Sequence, residues 1–253
     1  MGGEVSSNEA RIAIVSDVHG SLTALEAVIA DLRRTSPDLV VQAGDLALMG
    51  PQPAEVIDRV REFGWPSIAG NTDALLWRPE EHAQQLAQAP RLAPLLRLLF
   101  DEYAPFTRDQ LTDERIAWLR RLPEQWQLGD LAVVHASPGN LWRAPMPDAP
   151  DEELLGVYAR AGVTYAAYGH IHRPFVRHVG DGWIANSGSV GMPWDGDPRA
   201  SYLLIDGPSV EIIRIAYDVE RDTALMRSRS HPDAERLNEM RRIGRYVPPP
   251  ADQ

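Results

Sequence analysis

Residues 11–20 read Arg-Ile-Ala-Ile-Val-Ser-Asp-Val-His-Gly, a short apolar run followed at once by an aspartate and a histidine. A β-branched run of this length is typical of a buried parallel strand. From Ser21 onward the pattern becomes helical, with Ser21 in the position of an N-cap. The stretch therefore predicts a strand that ends in polar residues and leads directly into a helix, which is how α/β folds begin.

The same arrangement recurs twice further along the chain. Residues 38–43 form a second apolar run that ends in Gly44-Asp45, and residues 65–69 form a third that ends in Gly70-Asn71. A helix is predicted between them, over about residues 53–62. Alternating strands and helices indicate a doubly wound α/β unit, in which ligands bind beyond the carboxyl ends of the strands.

The rest of the chain changes character. Residues 74–122 are rich in Leu, Ala and Gln and are interrupted by prolines, which predicts a small insertion of short helices. A hairpin is predicted over residues 125–135, and the last third predicts mainly antiparallel strands closed by a helix. The proline-rich residues 246–253 predict a disordered tail. At 253 residues, we expect a single domain over residues 1–253.

Composition excludes several kinds of protein. There is no cysteine, which rules out disulfides, a thiolate nucleophile and a cysteine zinc site. All 25 basic residues are arginine, which rules out a P-loop lysine and a Schiff-base lysine. The net charge of −11 argues against binding of long nucleic acid or of an anionic membrane. No secretory signal or membrane span is predicted, so we expect a cytoplasmic protein.

Seven polar side chains follow the apolar runs. The pair His170 and His172 could by itself be a solvated loop, a pH-sensitive pair or a set of metal ligands. Carboxylate, imidazole and amide groups without thiolates suit Mn, Fe, Zn, Co or Ni. Seven ligands are too many for one tetrahedral ion and suit two ions that share a carboxylate. The candidate ligands are Asp17, His19, Asp45, Asn71, His135, His170 and His172.

These residues stand in five ordered blocks: Asp17-x-His19, Gly44-Asp45, Gly70-Asn71-x-Asp73, His135 after an apolar run, and Gly169-His170-x-His172. In this order and spacing the chain resembles the calcineurin-like metallophosphoesterase superfamily. Together with residues 186–193, it resembles the small bacterial and archaeal phosphodiesterases of that superfamily. The resemblance implies a four-layer αββα sandwich of two mixed sheets.

The resemblance also implies the roles of the ligands. Asp17, His19 and His172 would hold one ion, and Asn71, His135 and His170 the other. Asp45 would bridge the two divalent transition metal ions, and a hydroxide held between the ions would attack phosphorus. Asp45, Asn71 and His135 would thus be the catalytic residues.

The implied substrate is a small phosphodiester, with a nucleotide ester as one case. Phosphomonoesterase and protein phosphatase activities remain open alternatives. Many family members have a histidine where this chain has Thr72, and threonine cannot act as a general acid near neutral pH. A non-catalytic protein-binding scaffold is a further alternative, but it predicts decayed ligand positions, and all seven are present.

Other residues near the blocks are candidates for substrate contact. Arg143 and Arg173 could each hold a phosphate through two parallel hydrogen bonds, or could be ordinary surface arginines in ion pairs. Trp77, Trp142 and Trp194 are candidates for the lining of a pocket, while His178 and His231 lie outside every block and are expected to be solvated.

Overall fold

The computed structural model describes residues 10–250. The first nine residues, where no secretory signal was expected, lie outside the described part, as do the last three residues of the predicted tail. Tyr246 and Val247 pack against the main core, so the predicted tail does not begin at residue 246. Within residues 10–250, no helix is both long and apolar enough to cross a membrane.

The strands form two mixed sheets. The first sheet has the order β2-β1-β8-β9, from Leu39–Gln42, Arg11–Val15, Ala200–Asp206 and Ser209–Ile215. The second sheet has the order β3-β4-β5-β7-β6, from Gln125–Leu128, Leu131–Val134, Tyr165–Tyr168, Gly182–Asn186 and Phe175–Val179. Strands β1 and β2 are parallel, as are β4, β5 and β7, while the remaining neighbours are antiparallel.

The alternation of side chains along each strand explains how the layers stack. On β1, Ile12 and Ile14 face a core between the two sheets, whereas Ala13 and Val15 face the helices. The second sheet is covered on its other side by the helix α8 (Asp151–Tyr158), through Leu154 and Tyr158. The order helices–sheet–sheet–helix is the four-layer αββα sandwich that the resemblance implied.

Ten α-helices occur in residues 10–250. They are α1 Leu22–Thr35, α2 Pro53–Phe63, α3 Asn71–Ala74, α4 His82–Gln88, α5 Ala93–Arg97, α6 Ala104–Arg108, α7 Asp113–Arg120, α8 Asp151–Tyr158, α9 Val219–Ser228 and α10 Ala234–Ile243. Short 3₁₀ turns cover Pro79–Glu81, Pro90–Leu92 and Ala159–Ala161, and a π-helical turn covers Leu98–Tyr103. The segment between α3 and β3 thus consists of short helices joined by turns, and it packs on the core through Leu96, Leu99 and Tyr103.

The third predicted strand, over residues 65–69, is not a full strand. It makes a single parallel bridge, between Gln42 and Ser67. Its backbone still pairs with Gln42, which donates to the Pro66 carbonyl and accepts from Ile68. The ladder is short because Pro66 has no N–H to donate. The loop that follows nevertheless reaches the same edge of the sheet as the loops after β1 and β2.

Candidate metal centre

The seven predicted ligands come together at one edge of the sandwich. Asp17 and His19 follow β1 and Asp45 follows β2, whereas His135, His170 and His172 follow β4 and β5 of the other sheet. Asn71 is the first residue of α3. Each side chain lies just beyond the carboxyl end of a strand or on the loop beside it, which is where ligands bind in this class of fold.

Four of the side chains form a compact, buried group. Asp17, His19, Asp45 and His172 each offer one ligand atom, and these four atoms lie within 4.8 Å of one another. His172 Nε2 is 3.1 Å from His19 Nε2 and 3.1 Å from Asp17 Oδ1. This arrangement could hold one metal ion.

The remaining three ligands form a second group beside the first. Asn71 Oδ1 is 2.9 Å from His135 Nε2 and 2.9 Å from His170 Nδ1. Asp45 Oδ2 lies 3.5 Å from His135 Nε2 and 3.7 Å from His19 Nε2. Asp45 therefore stands between the two groups, with the same carboxylate oxygen facing both.

The outer nitrogens of the histidines fix their tautomers. Nδ1 of His19 faces the Leu48 carbonyl at 3.1 Å, and Nδ1 of His172 faces the Met192 carbonyl at 2.5 Å. Because a carbonyl can only accept, these Nδ1 atoms carry the proton and donate. With Nδ1 as the donor, each ring presents its Nε2 atom to the centre, and the two Nε2 atoms lie 3.1 Å apart.

Backbone carbonyls orient the second group in the same way. His135 Nδ1 donates to the Ala43 carbonyl at 2.9 Å, and His170 Nε2 donates to the Trp142 carbonyl at 3.1 Å. In the neutral ring of His170, Nδ1 then directs a lone pair at Asn71 Oδ1, which is itself an acceptor. Lone pairs that converge at such distances repel one another unless a cation lies among them. The donor set and its geometry therefore fit divalent metal ions.

The pKa shifts at the centre also fit a cation-binding site. Burial and the neighbouring histidine lower the pKa of His19 and of His170 to about 4, so both rings are neutral near pH 7. Burial lowers the pKa of His135, but the Asp45 carboxylate outweighs it and raises the pKa to about 9, so without a metal ion this ring holds a proton in the position that a cation would take. Burial opposes ionisation of Asp45, yet His135 holds its pKa below the usual range. Asp17 Oδ1 is buried and accepts no hydrogen bond from the described residues, which leaves it free for a cation.

The backbone at the centre is strained. Five of the seven ligands have positive φ angles, which non-glycine residues rarely adopt: Asp17 (56°), His19 (49°), Asp45 (58°), His170 (65°) and His172 (54°). Such strain persists only where the surrounding structure holds it, and it gathers at functional sites. The loops are thus shaped to turn these side chains inward.

The Gly-Asn-Thr-Asp block supports the centre in two ways. The Thr72 N–H donates to Asp45 Oδ1 at 2.9 Å. Asp73 is fully buried and accepts from the backbone N–H groups of Leu46, Ala47 and Gly70. Asp73 is therefore structural, since it ties the loop that carries Asp45 to the loop that carries Asn71.

A cavity of about 470 Å³ opens above the centre. Asp45, Asn71, His19, His170 and His172 form its floor, and residues from the helical segment form one wall. Arg143, Arg173, Trp142 and Trp194 line it as well, and Trp194 stacks on His172 with ring centroids 3.9 Å apart. Trp77 is not among the lining residues.

Some parts of the site gave no signal in the sequence. The carbonyls of Leu48, Met192 and Trp142 orient three of the histidines, and any residue type could have supplied them. Gln85 and Leu96 line the cavity from the helical segment, but the residue pattern there is that of any amphipathic helix and does not mark them as cavity residues. His231 is buried rather than solvated, whereas His178 is exposed as expected.

Comparisons with known proteins relate this chain to phosphoesterases. A model of the calcineurin-like phosphoesterase superfamily domain matches residues 11–208. The phosphodiesterase YfcE of Escherichia coli is 26% identical over 215 residues, which cover 81% of this chain and 92% of YfcE. An uncharacterized protein of Methanocaldococcus jannaschii is 27% identical over 234 residues, which cover 83% of this chain and 89% of that protein.

A solved structure shows the same fold at full length. The metallophosphoesterase from Sphaerobacter thermophilus superposes with a TM-score of 0.75 at 29% identity. The match covers 92% of this chain and 99% of that chain.

Proposed function

Since the chain belongs to the calcineurin-like phosphoesterase superfamily and is a hydrolase of phosphoric ester bonds, we propose that it hydrolyses phosphodiesters at a centre of two divalent transition metal ions. The observation that carries this proposal is the position of Asp45 Oδ2, 3.7 Å from one group of ligands and 3.5 Å from the other. One ion would be held by Asp17, His19 and His172. The other ion would be held by Asn71, His135 and His170, and Asp45 would contact both ions.

The bound ions would supply Lewis-acid stabilisation of the phosphoryl oxygens and would activate a water molecule for attack on phosphorus. The protein itself holds the ligands in place. The three Nδ1–H groups of His19, His135 and His172 donate to backbone carbonyls, which fixes each ring in the orientation that presents Nε2 to the centre.

In this proposal, Arg143 and Arg173 would bind the phosphate of the substrate. Both are exposed at the cavity, and neither guanidinium makes an ion pair or a hydrogen bond with residues 10–250. The alternative, an arginine occupied by surface ion pairs, has no support at these two positions. A guanidinium can bind two phosphate oxygens through parallel hydrogen bonds, so each side chain could hold the substrate while the floor acts on phosphorus.

Thr72 limits which esters can react. Its hydroxyl lies at the floor, is buried and has no hydrogen-bond partner among the described residues. A threonine hydroxyl does not give up its proton near pH 7, so it cannot protonate a departing alkoxide. We therefore expect the fastest turnover with esters whose leaving group departs as a stable anion.

The first test is elemental analysis of the purified protein, with hydrolysis of bis-p-nitrophenyl phosphate measured before chelation, after chelation and after Mn²⁺ is added back. We expect nearly two transition metal ions per chain and turnover that is lost and restored with them. Faster hydrolysis of p-nitrophenyl phosphate or of a phosphopeptide would instead assign the monoesterase or protein phosphatase activity.

The variant Asp45→Asn tests the shared ligand. We expect loss of at least one ion per chain and a fall in kcat/KM of about a hundredfold or more. Asp181→Asn, at an exposed turn between β6 and β7, is the matched control and should change neither quantity. Normal metal content and turnover in Asp45→Asn would refute the assignment.

A further inference from the structure

The cavity above the centre is polar at its floor and apolar on one wall. The wall is formed by Leu92, Leu95, Leu96, Leu99, Trp142 and Met146. Gln85 and Gln88 also line the cavity from the helical segment, and neither side chain carries a charge. The cavity is thus lined by the predicted metal ligands on its floor and by hydrocarbon on one wall.

Part of this wall is exposed in a way that needs an explanation. Leu92 is 51% exposed and Met146 is 41% exposed. Among the described residues only five large hydrophobic side chains are 38% exposed or more, and two of them lie at this cavity. Exposed apolar surface that borders a cavity marks a binding site for an apolar group.

The positive charges at the cavity are few. Arg143 and Arg173 are free to bind one phosphate. Arg236 also lines the cavity, but its guanidinium is held by Asp233, Tyr103 and the Val247 carbonyl. A substrate with several phosphates would place further negative charge against leucine and tryptophan, where nothing would compensate it.

We propose that the substrate is a phosphodiester in which one ester group is uncharged and apolar, either alkyl or aryl. This group lies against the wall of Leu92, Leu96 and Leu99 while the phosphate meets the floor. The inference rests on the proposed function, because it concerns the ester group of the same substrate.

Esters that share one leaving group test this directly. In a series of p-nitrophenyl alkyl phosphates with methyl, butyl and hexyl groups, p-nitrophenol leaves in every case and only the second ester group changes. Each buried methylene is worth about fourfold in affinity, so we expect kcat/KM to rise at least about tenfold from methyl to butyl. In Leu92→Gln the rise should be several times smaller, whereas in Leu155→Gln it should persist. Leu155 is the matched control because it is 42% exposed on α8, away from the cavity.

The outcomes separate the two proposals. If no ester in the series is hydrolysed after Mn²⁺ is added, the proposed function fails. If all are hydrolysed at equal kcat/KM, phosphodiester hydrolysis stands and the apolar subsite is refuted. A higher kcat/KM with the p-nitrophenyl ester of thymidine 5′-phosphate than with the butyl ester would also overturn the proposal, because the wall would then bind a nucleoside.

A second inference comes from a buried arginine outside the matched family domain. Arg241 belongs to α10, beyond residue 208, and its side chain is fully buried. Its Nη2 donates to the Met49 carbonyl at 2.8 Å, and its Nε donates to the Gly191 carbonyl at 3.2 Å. Asp222 Oδ2 lies 4.0 Å from Nε and provides the counter-charge.

The two carbonyls that Arg241 holds are next to those that orient the metal ligands. Met49 follows Leu48, whose carbonyl accepts from His19 Nδ1. Gly191 precedes Met192, whose carbonyl accepts from His172 Nδ1. One guanidinium therefore clamps both loops, and these loops set the angle of the two rings whose Nε2 atoms lie 3.1 Å apart.

We infer that Arg241 is a positioning residue for the metal centre. It fixes the peptide groups of Met49 and Gly191, and through their neighbours it fixes the imidazoles of His19 and His172. The inference rests on the same proposed centre, so its test measures metal binding and not activity alone.

The test is the dissociation constant for Mn²⁺, measured by calorimetry and by the Mn²⁺ electron paramagnetic resonance spectrum. Loss of groups that orient metal ligands weakens metal binding by 10- to 100-fold, and we expect about tenfold for Arg241→Met. Arg241→Lys keeps the charge beside Asp222 but can reach only one carbonyl well, so we expect an intermediate loss and partial rescue. Arg242→Met, which removes a surface ion pair with Glu220, should bind as the wild type does.

Each result decides the question. Wild-type affinity in both Arg241 variants, with the wild-type spectrum, would show that Arg241 does not act on the centre. If Arg241→Met does not fold, Arg241→Lys alone decides by the same criterion. If the wild type itself binds no Mn²⁺, the metal centre is refuted and not only the role of Arg241.

Discussion

Substitutions of Asp73 are predicted to lower the free energy of unfolding, because its buried carboxylate joins two loops. Its Oδ1 accepts from the N–H groups of Leu46 at 2.9 Å and of Ala47 at 3.2 Å, and its Oδ2 accepts from Gly70 N–H at 3.2 Å. In Asp73→Ala all three donors lose their acceptor in the interior. A buried donor without a partner costs about 1–3 kcal/mol, so the free energy of unfolding should fall by at least roughly 3 kcal/mol.

Asp73→Asn should be much milder. The amide oxygen can still accept from Leu46 and Ala47, and only the bond from Gly70 is lost, which costs about 1–3 kcal/mol. Burial and the Asp45 carboxylate raise the pKa of Asp73 to about 7, so the amide also removes an unfavourable buried charge and offsets part of that cost.

The measurement is urea unfolding of both variants in the presence of a chelator, so that metal binding does not contribute. Asp58→Ala is the control, because it removes a surface ion pair with Arg115 and should cost less than about 1 kcal/mol. Equal losses in Asp73→Ala and Asp73→Asn, or a loss below about 1 kcal/mol in Asp73→Ala, would refute the account given for Asp73.

Two further changes test the packing of the site and of its surroundings. In Gly70→Ala the new Cβ would lie 2.0 Å from Asp45 Oδ1, so we expect the affinity for Mn²⁺, measured by calorimetry, to fall at least about tenfold. The control is Gly156→Ala, whose new Cβ meets nothing within 4 Å and which should bind Mn²⁺ as the wild type does. The pKa of the buried His231 is lowered to about 3 by burial and by the charges of Arg241 and Arg236. The neutral form of His231 therefore stabilises the fold above pH 6.5, and this stability is lost as the pH falls. Between pH 7.5 and 5 the wild type should therefore lose about 2 kcal/mol more than His231→Phe in urea unfolding, and parallel losses would contradict this.

Much of the fold follows from local sequence. Apolar runs such as residues 12–15 are typical of buried strands, and the polar residues that end parallel strands collect at one edge of a sheet. The ordered blocks around Asp17, Asp45, Asn71 and His170 indicated the family and predicted the ligands of a metal centre, because ligand chemistry demands particular side chains at particular places. These requirements concern residue types, so they can be recognised from the sequence without a structure.

Other features depend on contacts between distant parts of the chain. The short third strand reflects how Pro66 pairs with Gln42, and the burial of His231 reflects the packing of the Tyr103 and Phe106 rings around it. Leucines at helical spacing look alike whether they face a core or a cavity, so the apolar wall was not visible in the sequence.

The orientation of the centre was also decided only by tertiary structure. Backbone carbonyls at Leu48, Ala43 and Met192 set the histidine tautomers, and a carbonyl belongs to every residue type. Arg241 reaches Met49 across 192 residues of sequence. The amino-acid sequence by itself thus determined which groups can hold metal, because that depends on side-chain chemistry. Folding alone decided how those groups face one another and what lies above them, because that depends on which loops and helices meet in space.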